Sequence, residues 1–160
     1  MNIYTEVSAL NQDEKNRKKI QRYLLSCCKK YEAFRSGRNF KYGLLSASKY
    51  IDGRISWKEF HKYEWELEGE AFGIEFYRSR IPYFLFHPDK SMLADLKKIR
   101  IQKGMSHIVA IEYLEALAYF IVYVLSYCYR APGDLPPNEY SKFMCPILFK
   151  KYFNNVAKNA

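Results

Sequence analysis

Residues 106–130, SHIVAIEYLEALAYFIVYVLSYCYR, decide the fold class. Wound at 3.6 residues per turn, the run is apolar over most of its circumference, and only Glu112, Glu115, Tyr119, Ser126 and Arg130 form a narrow polar edge. A helix of this kind is stable in water only when other elements surround it, so the run predicts the central helix of a bundle. Its longest uncharged stretch, Ala116 to Tyr129, is 14 residues long and carries Tyr119, Tyr123, Ser126 and Tyr127. That is short of the roughly 18–20 apolar residues of a membrane span, and no membrane is expected.

Helical spacing continues on both sides. Upstream, Asp89 or Ser91 caps a helix with Leu93, Leu96 and Ile99 inward, and Gly104 ends it. Residues 80–88, RIPYFLFHP, lie between prolines and lack helical spacing, which predicts an extended connector or one short strand crossing the core. Before it, Ser56 with Glu59 makes a capping box that opens a helix continuing to Tyr77. Phe40, Leu44, Ala47 and Ile51 mark a shorter helix stopped at Asp52-Gly53. Ile20, Tyr23, Leu24, Cys27, Tyr31 and Phe34 share one face of a helix over about 12–35, stopped at Ser36-Gly37. Residues 1–10 are read as an irregular N-terminal segment. Downstream, APGDLPP at 131–137 is a rigid loop, and Pro137 opens a last helix that breaks at Cys145-Pro146 and runs on through Val156. The expectation is one all-α domain over residues 1–160, a bundle of five to six helices with one extended connector at about 80–88.

Composition agrees with a packed core. Of 160 residues, 49% are hydrophobic, and 11 Phe, 15 Tyr and 2 Trp supply bulk, which excludes disordered and collagen-like classes. The opening MNIYTEVSALNQDEKNRKK has no apolar run of signal-peptide type. Cys27, Cys28, Cys128 and Cys145 show no paired CxxC spacing, so neither a zinc site nor a disulfide framework is predicted. Free thiols in the cytoplasm are expected, with no metal and no cofactor.

Lys and Arg number 26 against 17 Asp and Glu, a net charge of +9. The sign alternates along the chain: +7 over residues 1–54, −4 over 55–75, +5 over 76–103, −2 over 104–135 and +3 over 136–160. Lys15, Lys18, Lys19 and Arg22 head the first basic block, followed by Lys29, Lys30, Arg35, Arg38 and Lys41 with Phe40 and Tyr42 interleaved. Basic side chains with interleaved aromatics can hold the phosphates of a nucleic acid.

The helix opened by Ser56 carries two apolar stripes, Phe60, Tyr63, Leu67, Ala71 and Ile74 on one side and Trp65, Phe72 and Phe76 on another. His61, Glu64, Glu68 and Glu75 lie between them, where carboxylates need basic partners, a metal or a ligand. Glu59, Glu66 and Glu70 fall on the opposite side and are predicted to face water as an acidic edge that meets a basic protein partner.

Two segments resemble known families. Ile51 to Phe60, IDGRISWKEF, resembles the second half of an EF-hand calcium loop, with Asp52, Gly53, Ile55 and Glu59 at the family's spacing. Ser48 and Tyr50 stand where the family places further oxygen ligands, so the segment is read as a glycine turn followed by the Ser56 cap, without calcium. Arg100 to His107, RIQKGMSH, is similar to the loose Arg-x(4–6)-His pattern of the all-helical HEPN ribonucleases. That resemblance implies Arg100 and His107 acting as a catalytic pair on an RNA phosphate.

Three function classes follow. The first is a small non-enzymatic protein-binding module, with toxin-neutralising immunity or inhibitor proteins as the type, using Glu59, Glu66 and Glu70. The second is a basic nucleic-acid-binding helical protein using Lys15, Lys18, Lys19 and Arg22. The third is a HEPN-like ribonuclease using Arg100 and His107.

Overall fold

The computed structural model describes residues 2–79, 89–129 and 134–158, with side chains to residue 154. The connector expected at 80–88 lies outside the described residues, as do the first three residues of the 131–137 loop. The described residues form an all-α fold of seven α-helices and three short 3-10 turns. The α-helices are α1 (Ile3–Leu10), α2 (Arg17–Lys29), α3 (Arg38–Ile51), α4 (Trp57–Ser79), α5 (Lys90–Lys103), α6 (His107–Tyr129) and α7 (Pro146–Lys158).

Helix α6 is the core. Among the described residues it is the one helix long and apolar enough to cross a membrane, and 56% of its most apolar stretch is buried inside the bundle. Leu114, Leu117, Phe120, Ile121, Val124, Leu125 and Tyr127 are fully buried, under α4 on one side and α2, α3 and α5 on others. Helix α4 packs along it through Phe60, Leu67, Ala71 and Ile74, while Trp65, Phe72 and Phe76 stay exposed, so only one of the two stripes enters the core. Gly43 sets how closely α3 approaches α4: an added Cβ would stand 2.7 Å from Leu67 Cδ1.

Caps explain several boundaries. Asp89 accepts from the Met92 N–H at 2.7 Å and starts α5, and Gly104 ends it in the left-handed conformation at φ 63°. Gly53, at φ 71°, closes the turn after α3. Ser56 Oγ accepts from the Glu59 N–H at 3.4 Å at the start of α4.

Four expectations are corrected. Within the segment 1–10 expected to be irregular, Ile3–Leu10 form a helix: Asn2 caps α1 by accepting from the Thr5 N–H at 3.1 Å, and Val7 is buried. The helix expected over 12–35 is interrupted. A 3-10 turn precedes α2, and after Lys30 a second one, Glu32–Phe34, swings Phe34 into the core and redirects the chain. The last helix does not begin at Pro137, because residues Asn138–Phe143 wind as a 3-10 turn and α7 starts at Pro146, where the missing N–H costs nothing. On α5 the inward residues are Met92, Asp95, Leu96 and Ile99, whereas Leu93 is exposed.

Candidate functional site

The 3-10 turn after α2 delivers Arg35 to the place where α3, α4 and α5 meet. Its side chain is only 5% exposed, and Nη2 donates to Glu70 Oε2 at 2.9 Å. Asn39 Nδ2 donates to the other Glu70 oxygen at 3.3 Å. Asp95, also buried, accepts from the Ser36 N–H at 2.9 Å, which pins the chain just after Arg35. Burial lowers the Arg35 guanidinium from its usual range, opposed by Glu70, Asp95 and Asp89. Burial likewise raises the carboxyls of Glu70 and Asp95, with Arg35 pulling both back.

Two clefts share this segment as a wall. One, of about 350 Å³, lies between α4 and the start of α5, and Glu66, Glu70, Asp89 and Asp95 give it an acidic lining. The other, of about 960 Å³, lies between α2 and α3, with Arg22, Lys29, Arg38 and Lys41 around a floor that includes Leu25, Phe40 and Leu44. Arg35 and Gly37 line both. Charges of opposite sign are thus held side by side by one short loop.

A second polar cluster joins α4 to the end of α6. Glu64 is buried and its Oε1 accepts from Ser126 Oγ at 3.0 Å. Its Oε2 stands 3.5 Å from His61 Nδ1, and neither of these two buried atoms makes a hydrogen bond of normal geometry. His61 stacks on Trp57 at 4.6 Å between centroids. Burial raises the Glu64 carboxyl above the usual glutamate range, opposed by Ser126, His61 and Tyr129. A raised folded-state value means the native state binds this proton more tightly than the unfolded chain. The cluster's contribution is therefore greatest at acid pH and is lost as pH rises through the raised value. In Glu64→Gln the amide oxygen keeps the Ser126 bond and the amide N–H₂ reaches His61 Nδ1. The variant is expected to be about 1 kcal/mol more stable at pH 7, with a flatter stability profile between the usual glutamate range and neutrality. Thermal melts across that pH interval check it, and a less stable variant at pH 7 contradicts it.

The thiols differ sharply. Cys27, Cys28 and Cys128 are buried, and burial pushes their pKa values up, Cys27 to about 11. Cys145 stands at the entrance to α7 with Lys30 Nζ at 3.1 Å from its sulfur. Its pKa is lowered: burial acts upward, but the N–H of Leu148, the Lys30 ammonium and the N–H of Ile147 outweigh it. With limiting iodoacetamide at neutral pH, Cys145 is expected to be alkylated first of the four. Peptide mass mapping reads this, and equal labelling of Cys128 contradicts it.

The structure disperses the sets singled out from sequence. Glu59 and Glu66 are exposed on α4. Glu70 does not face water freely as expected, since Arg35 and Asn39 hold it in the acidic cleft. Of the basic set, Arg22 lines the basic cleft and pairs with Asp52. Lys18 and Lys19 lie exposed along α2, and Lys15 pairs with Asp13 at 3.3 Å in the turn before it. Arg100 and His107 are both exposed, on either side of Gly104, with no hydrogen bond or ion pair between them, and neither lines a described cleft. Asp52, needed for a calcium loop, is engaged by Arg22. On the ridge, Glu64 is buried, and Glu75 accepts from Tyr119 Oη at 2.7 Å. Among the described residues no three His, Cys, Asp or Glu side chains converge as a metal ion requires.

Sequence reasoning missed Arg35 and Asp95 as cluster members. Arg35 sits in a basic run that reads as a solvated face. Asp95 had a legible signal: it occupies a core position of the 92, 95, 96, 99 repeat, where a charge demands a partner. No known protein family, curated protein or solved structure matches the chain.

Proposed function

We propose that the chain is a non-enzymatic protein-binding module, of the kind that toxin-neutralising immunity or inhibitor proteins exemplify. The observation that carries this reading is the pair of oppositely charged clefts sharing Arg35 and Gly37 as their wall. A nucleic acid presents one sign of charge, so the basic cleft would attract it and the adjoining acidic cleft would repel it. A folded partner carries both signs and can satisfy both clefts in one orientation only, which favours specificity and fast association. Exposed Trp65, Phe72 and Tyr42 supply apolar contact area of the type that dominates binding energy. The acidic side, with Glu59, Glu66 and Glu70, suits the basic surface of a nuclease toxin. Four free thiols fit a cytoplasmic setting.

The test is gentle purification of the tagged chain from its own host, with the 260/280 absorbance ratio and the identity of any stoichiometric companion recorded. A protein companion is expected, released by Lys41→Glu and, separately, by Glu66→Lys. The basic cleft alone favours a second reading, nucleic-acid binding. That reading requires a high absorbance ratio, binding that falls steeply with salt, loss in Lys41→Glu and gain in Glu66→Lys. This second pattern overturns the first reading.

A further inference from the structure

Helix α4 turns toward solvent a face that is built like one half of a helix pair. Trp65 is 72% exposed, Phe72 43% and Phe76 47%, and Gly69 lies between Trp65 and Phe72 on the same face with nothing within 4 Å of where its Cβ would be. Positions 65, 69, 72 and 76 are spaced 4-3-4, the rhythm of a two-heptad seam, with aromatic knobs around the hole left by Gly69. Residues beside such a seam choose the partner. Glu66 flanks it on the side of the acidic cleft, and Glu68 and Glu75 flank it on the other.

Acid on both flanks narrows the occupant. A second copy of α4 would set glutamates against glutamates, and an anionic bilayer would meet the same repulsion. A helix with an apolar seam and Lys or Arg on both flanks is attracted on both sides. On the Glu66 side its basic side chains can enter the 350 Å³ cleft, where Glu66 and Asp89 meet them. We infer that the partner presents a basic amphipathic helix, which lies along α4 over Trp65, Gly69, Phe72 and Phe76 with its cationic flanks against Glu66, Glu68 and Glu75. This rests on the protein-binding reading and names the element that the partner contributes.

The test uses two labelled synthetic helices with the same leucine seam, one flanked by lysine and one by glutamate, titrated into the full chain with anisotropy as readout. The lysine-flanked helix is expected to bind at least about tenfold more tightly, a difference of about 1.4 kcal/mol. Gly69→Gln should abolish its binding by filling the hole. That substitution meets open space and replaces a mid-helix glycine, so its melting temperature should not fall below that of the wild type. Equal binding of the two helices, no binding of the lysine-flanked one, or unchanged binding in Gly69→Gln overturns the inference. The broader reading fails separately: if a companion protein co-purifies while the lysine-flanked helix does not bind, the seam is wrong and protein binding stands. If no protein co-purifies, the broader reading falls whatever the helices do.

Discussion

Arg35→Ala is expected to lower the stability of the fold by about 3–5 kcal/mol at neutral pH, the range for breaking a buried ion pair from one side. The guanidinium is the cation that touches Glu70, and of the two cations that act on Asp95, Arg35 and Lys98, it acts the more strongly. Without it, two carboxylates already raised by burial stay in a low-dielectric junction facing each other and Asp89. Their folded-state values then rise further. Because a raised acid binds its proton more tightly in the native state, the variant's deficit is greatest at neutral pH and shrinks as pH falls and the carboxyls protonate. Denaturant unfolding of wild type and variant at pH 7 and at about pH 4 reads this as two gaps of unequal size. A second variant, Arg35→Met with Glu70→Leu, removes both charges and fills their volume, and it should recover much of the loss. A loss below about 1 kcal/mol at pH 7, or a gap that widens on acidification, would show that the junction is not held by this pair.

Tyr23→Ala is expected to cost about 3–5 kcal/mol, the range for truncating a large buried aromatic. The ring is fully buried on α2 and meets Phe149, Tyr152 and Phe153 of α7 edge-on, at 5.8, 6.2 and 6.0 Å between centroids. Its hydroxyl donates to the carbonyl of Cys145 at 3.0 Å, just before α7 begins. The one side chain therefore fixes both the start and the apolar face of the last helix. Tyr23→Phe keeps the rings in contact and loses only the hydrogen bond, so about 1–3 kcal/mol should go, including the cost of leaving that carbonyl unmet. Limited trypsin digestion adds a local readout: in Tyr23→Ala, cleavage after Lys150 and Lys151 should come before cleavage elsewhere. If the two variants are equally destabilised, the hydrogen bond and not the ring cluster anchors α7.

Much of this architecture is legible in the chain because it depends on one helix at a time. The all-round apolar run of α6 requires burial wherever the neighbours lie, and the 20, 23, 24, 27 repeat names the inner face of α2 without reference to a partner. Gly53 and Gly104 end helices through their own backbone freedom, and Asp89 and Ser56 begin them through a side chain three residues from the N–H it accepts. Even α1 carries a local mark, Asn2, whose side chain accepts from the Thr5 N–H.

What the chain alone left open is decided by which helices meet. Periodicity assigns α4 two apolar stripes of comparable strength, and only the position of α6 determines that Phe60, Leu67, Ala71 and Ile74 are buried while Trp65, Phe72 and Phe76 remain outside. The break after Lys30 cannot be read from helix propensity, since it serves to bring Arg35 to a junction with Glu70 and Asp95, 35 and 60 positions away in sequence. Glu70 looks like an ordinary surface acid in its own helix, and the position of Asp95 says only that it needs a partner, not which one. They become a site because α3, α4 and α5 close around Arg35, and a charge's environment is set by the dielectric and the counter-charges that arrive from other segments. Sequence therefore determined the class of fold and the identity of its central helix, which follow from short-range geometry and hydrophobicity. Tertiary structure decided the adjoining clefts and the exposed seam, because burial and charge pairing are properties of surfaces that exist only once the helices have met.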